Sequence, residues 1–68
     1  MMKDFSIFDA ENSIEIMVIC EYSPWTHRYE VVYKHAIDYY SGYPITLSSV
    51  MDYSEQINTK LKEFNYGH

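Results

Sequence analysis

Sulfur bridges are excluded first, because the chain has a single cysteine, Cys20, in 68 residues. No intramolecular disulfide can form, and without a CxxC or paired Cys/His spacing no structural zinc site is expected. Cations are also scarce: five Lys and Arg stand against ten Asp and Glu, for a net charge of −5. Affinity for nucleic acid or for an anionic membrane surface comes largely from Lys and Arg, so this balance argues against both. No segment approaches the ~20 apolar residues of a membrane span, and the N-terminus lacks the apolar core of a signal peptide. A cytoplasmic protein is the expectation, and a lone cysteine agrees with a reducing compartment. With two glycines and two prolines, and no repeat or low-complexity run, nothing reads as a linker. Residues 1–68 are expected to form one small domain.

Such a chain buries only about 60% of the surface its unfolded form would expose, so its stability should be small, about 3–5 kcal/mol. Small domains are usually reinforced by disulfides, a metal or another subunit. With the first two excluded, a second chain is the remaining reinforcement.

What the sequence has in plenty is aromatic rings: eight tyrosines, three phenylalanines and one tryptophan. A thin core cannot hide them all, and exposed tyrosine is enriched at protein interfaces. Acidity is uneven too. Asp4, Asp9, Glu11, Glu15 and Glu21 stand against Lys3 alone in residues 1–22, whereas the rest of the chain is nearly balanced.

Periodicity predicts a small α+β fold, an antiparallel β-sheet (a hairpin, with room for a third strand) packed against one C-terminal amphipathic α-helix. Residues 1–12 read as an extended arm or short strand pinned by Phe5, Ile7 and Phe8, closing on a turn from Asp9 to Asn12. Residues 13–47 hold the hairpin and a connecting segment. Ile14, Ile16, Val18, Cys20 and Tyr22 alternate with Glu15, Met17, Ile19 and Glu21, which predicts a strand with the first set in the core. The second face, with Met17 and Ile19 between glutamates, is only partly polar. Pro24 ends the strand in a loop, Ser23–His27. Arg28–Lys34 reads as the returning strand, with Tyr29, Val31 and Tyr33 on the core parity; a helical stripe through Tyr29, Tyr33, Ala36, Ile37 and Tyr40 is the rival. Residues 36–43 fit either a third strand or a helical turn. Residues 48–64 read as the helix, with Ser49 as N-cap, Asp52 in its first turn, and an apolar stripe of Val50, Tyr53, Ile57, Leu61 and Phe64.

Chemistry is thin. His27 and His35 are about 26 Å apart if extended, and so cannot share a metal within one strand. His68 is terminal, and Cys20 falls on the core face, where cysteine behaves as a small hydrophobe. A reactive thiolate needs an electropositive setting, but the neighbour is Glu21. No metal, cofactor or catalytic site is expected, and the chain does not read as an enzyme. Tyr29 and Tyr33 beside Arg28 and Lys34 outline a stacking platform for single-stranded nucleic acid, yet rings and cations fall on opposite strand faces.

Protein binding is the reading that remains. Trp25, in the loop after Pro24, either anchors a partner or folds back onto the hairpin. Tyr39, Tyr40 and Tyr43, around Ser41-Gly42, resemble a paratope in composition. Glu11, Glu15 and Glu21, with Asp4 and Asp9, outline an acidic face suited to a basic partner surface such as a nucleic-acid groove; a merely solvated face is the alternative. This profile is similar in composition to accessory proteins of phages and mobile elements that block a host enzyme or defence complex. A self-assembling homodimer is the second expectation.

Overall fold

The computed structural model describes residues 1–47 and 52–66. Four antiparallel strands lie side by side in chain order: β1 Met2–Asp9, β2 Ile14–Ser23, β3 Arg28–Asp38 and β4 Pro44–Ile45. The helix α1, Ser54–Asn65, packs on one face. This is the small α+β architecture that the periodicity predicts, with a sheet of four strands where a hairpin with room for a third was expected.

The strict alternation of β2 carries through. Ile16, Val18 and Cys20 are fully buried and Ile14 nearly so, joined by Tyr29, Ala36, Tyr53 and Ile57. Burying a side chain such as Ile or Val contributes about 1.5–3 kcal/mol, so this one strand supplies much of the core. Ile57, Leu61 and Phe64 of the helix, with Tyr53 immediately before it, close the core on the helix side.

The N-terminal segment is more than an arm. All eight residues of β1 pair with β2, Phe5 opposite Val18 and Ile7 opposite Ile16. The Phe5 ring meets Phe64 edge to face at 5.3 Å. The expected turn follows: the Asp9 carboxylate accepts from the Asn12 backbone N–H at 3.2 Å and from its side-chain amide at 2.9 Å.

Strand β3 departs from its expected parity. Its register against β2 shifts between Ile19 and Cys20: Cys20 faces Val31, but Ile19 faces Tyr33. Val32 is the extra residue of a β-bulge, which changes the face of everything beyond it. Tyr33, expected in the core, instead lies on the far face at 52% exposure. Lys34, expected outside, stands on the helix side and donates to the Asp52 carbonyl at 3.0 Å.

Residues 36–43 satisfy neither expectation whole. Ala36–Asp38 finish β3, and then the chain turns. The Asp38 carboxylate accepts from the backbone N–H of Tyr40 (3.0 Å) and Ser41 (2.9 Å), holding its own pKa below the usual range. Gly42 takes a left-handed φ of 76°, which glycine adopts without strain. The returning β4 is two residues long, Ile45 opposite Ala36.

The helix starts later than expected. Ser49 and Val50 lie outside the described residues. Asp52 and Tyr53 are not helical: the Asp52 carboxylate accepts from both the N–H and the hydroxyl of Ser54, at 3.0 and 2.8 Å, and Tyr53 is left-handed. A short acidic side chain that bonds the backbone two residues on offers a turn in place of a helix.

Candidate functional site: the open face of the sheet

The described residues cover one face of the sheet. Pairing fixes what the other presents: Met2, Asp4, Ser6 and Phe8 from β1, Glu15, Met17, Ile19 and Glu21 from β2, and Glu30, Tyr33, His35 and Ile37 from β3. No described element packs over these residues. Phe8, Met17 and Tyr33 are exposed, and Ile19 and Ile37 are half-buried. The Tyr33 and His35 rings stack at 6.1 Å. At one end Phe8 packs on Tyr39 at 4.6 Å, and Tyr39 on Tyr40 at 5.6 Å, so the apolar strip runs on into the β3–β4 turn. A bond of 2.8 Å from the Tyr39 N–H to the Ser13 carbonyl ties that turn to the β1–β2 turn.

Charge is unevenly spread across the sheet. Lys3 and Lys34 stand on the helix side, opposite Cys20 and Val18. The Lys3 ammonium lies 5.0 Å from the Tyr29 ring centroid and 5.2 Å from that of Phe64. On the open face Asp4, Glu15, Glu21 and Glu30 flank the apolar strip, with Arg28 as the strands' cation on that side. Glu21 and Glu30 face each other directly and are exposed. Like charges so placed are mutually destabilising, and among the described residues neither makes an ion pair.

Of the residues singled out in the sequence, Glu15 and Glu21 lie on this face, and Glu11 in the adjoining β1–β2 turn. Asp4 is on the same face. Asp9 is not: it turns to the helix side, where Tyr53 donates to it at 2.5 Å. The Asn12 side-chain bond first, and then that from Tyr53, lower the Asp9 pKa, and the carboxylate pushes Tyr53 up to about 12. Tyr40 and Tyr43 are 83% and 74% exposed, and Tyr39 half so. Trp25 does not fold back; it is 91% exposed in the β2–β3 turn. Ten residues of β2 separate that turn from the tyrosines, on the order of 30 Å. Trp25 and the tyrosine turn therefore do not form one compact cluster. Phe8, Met17, Ile19, Ile37 and Glu30 were not among the candidate binding residues, and Tyr33 entered only in the outline of a nucleic-acid stacking platform; Met17 and Ile19, two residues apart in a nominally polar register, are the sequence signal that pointed to this face.

Cys20 is buried on the helix side, His35 sits on the open face and His27 in the Trp25 turn. Among the described residues no group of His, Cys, Asp or Glu is placed to hold a metal ion, and no helix is long and apolar enough to cross a membrane. A shallow groove of about 900 Å³ lies between β3 and the end of α1, lined by Arg28, Val31, Leu61, Lys62 and Tyr66 among others.

No family model, no curated protein and no solved structure matches the chain.

Proposed function

We propose that this is a protein-binding module, an inhibitor or regulator that lays the open face of its sheet over a basic surface of another protein and blocks it sterically. The observation that carries the reading is the uncovered strip of Phe8, Met17, Ile19, Tyr33 and Ile37 with carboxylates along its margins. An apolar centre with a charged rim is the usual anatomy of an interface. Glu21 and Glu30, which make no ion pair among the described residues, favour a cationic partner, because a neighbouring Lys or Arg would relieve their repulsion. The nucleic-acid groove of an enzyme is a surface of that kind, where the carboxylates stand in for phosphates. Tyr39 and Tyr40 extend the contact at one end.

The test is capture of partners by tagged protein from host lysate at low and high salt, in parallel with Tyr33→Asp and with the double reversal Glu21→Lys, Glu30→Lys. A stoichiometric partner that wild type retains and both variants lose supports the reading. A partner retained equally by all three would remove the open face from it.

A further inference from the structure

We propose that two copies pair along β1, antiparallel about a two-fold axis at Ser6, to make one continuous eight-stranded sheet. The inference is independent of what the open face binds.

At the edges of a sheet, unpaired N–H and C=O groups are a template for another strand. On the far side, β4 is two residues long and starts with Pro44, which has no N–H to donate. The stretch of β3 that β4 does not reach is met at Tyr29 by the side chain of Asn65. β1 is different: eight residues without proline, glycine or register shift, paired on one side among the described residues. The Met1 carbonyl accepts from Tyr22 at 3.0 Å. By the alternation of an antiparallel ladder, Met2, Asp4, Ser6 and Phe8 then direct their N–H and C=O outward. A shallow groove of about 360 Å³ between β1 and α1, lined by Ser6, Ile7, Phe8, Gln56, Thr59 and Lys60, leaves room on the helix side for an added strand.

The occupant follows from the sequence of the strand itself. With Ser6 on the axis, Phe5 of each copy faces Ile7 of the other, and Lys3 of each faces Asp9 of the other. Both sets fall in the non-hydrogen-bonded positions, where side chains are closest. The two-fold makes each match twice. Centring the pair on Phe5 would face Lys3 with Ile7 and lose the charge match. A strand whose one cation and last carboxylate are equidistant from its middle is complementary to itself.

Sedimentation equilibrium tests this, with an expected mass about twice the 8.1 kDa of the chain. Ser6 is exposed, so its substitution leaves the core untouched, and circular dichroism checks that the variants fold. Ser6→Lys sets two ammonium groups against each other at the axis and should weaken the dimer by about tenfold or more. Ser6→Cys should give a disulfide-linked dimer on mild oxidation, since the native Cys20 is buried. A wild-type monomer at millimolar concentration overturns the proposal, as does a dimer whose affinity is indifferent to Ser6→Lys.

Discussion

Asn65 meets Tyr29 as a neighbouring strand would. Its side-chain Oδ1 accepts from the Tyr29 N–H at 2.6 Å, and its Nδ2 donates to the Tyr29 carbonyl at 3.2 Å. The last residue of the helix thus occupies a piece of the free edge of β3 and fastens α1 to the sheet. Asn65→Ala should lower stability by about 1–3 kcal/mol, the loss of two hydrogen bonds to the Tyr29 backbone, read as a lower urea midpoint. Asn65→Asp keeps only the acceptor and should fall between. An unchanged midpoint for Asn65→Ala would mean that solvent serves Tyr29 as well.

The two faces of β2 should respond differently to truncation. Ile16 is fully buried, and Ile16→Ala should cost about 2–5 kcal/mol. Against a total of about 3–5 kcal/mol for a domain this small, that leaves the variant largely unfolded by circular dichroism. Met17 points to the open face, and Met17→Ala should change stability by no more than about 0.5 kcal/mol. Equal losses would mean that the open face is covered in solution.

The Tyr53–Asp9 bond predicts how stability depends on pH. Asp9 has its pKa lowered on folding, so its contribution is present above the ordinary carboxyl range and is lost as pH falls through it. Tyr53 is raised from 10.0 to about 12, so its contribution is present below pH 10 and is lost as pH climbs toward 12. Tyr53→Phe should flatten the alkaline limb of a plot of melting temperature against pH and only shrink the acid limb, which the Asn12 bonds still support. An alkaline limb identical to that of wild type would contradict the bond.

Cys20 should be inert while the protein is folded. It is fully buried, and burial pushes its thiol pKa up, which disfavours the reactive thiolate. A thiol reagent at neutral pH should label it slowly in buffer and rapidly in urea. Rapid labelling in buffer would mean that β2 opens on the timescale of the reaction.

How much of this was legible depended on how local each cause is. β2 could be read because ten residues alternate without interruption, and α1 because Ile57, Leu61 and Phe64 keep one stripe. β1 was harder: Ile7 and Phe8 are adjacent, so an apolar pair obscures the alternation, and its pairing depends on β2. Tyr33 was assigned to the wrong face because its position follows from the bulge opposite Ile19 and Cys20, a relation between two strands that neither sequence displays. The short β4 is set by the turn that Asp38 organises. Of the candidate site, Glu15, Glu21 and the exposed tyrosines were visible as residue types. That Tyr39 joins Phe8 while Trp25 stands at the opposite end required the topology.

Val32 gives the hairpin one residue of slack. The register resumes beyond it with Tyr33 on Ile19 and Lys34 on Val18, so a chain lacking Val32 could close into a regular ladder with each of these partners kept. Strand length here is buffered at a single position, and the spacing between the Trp25 turn and the tyrosine turn can change by one residue while the core stays in frame.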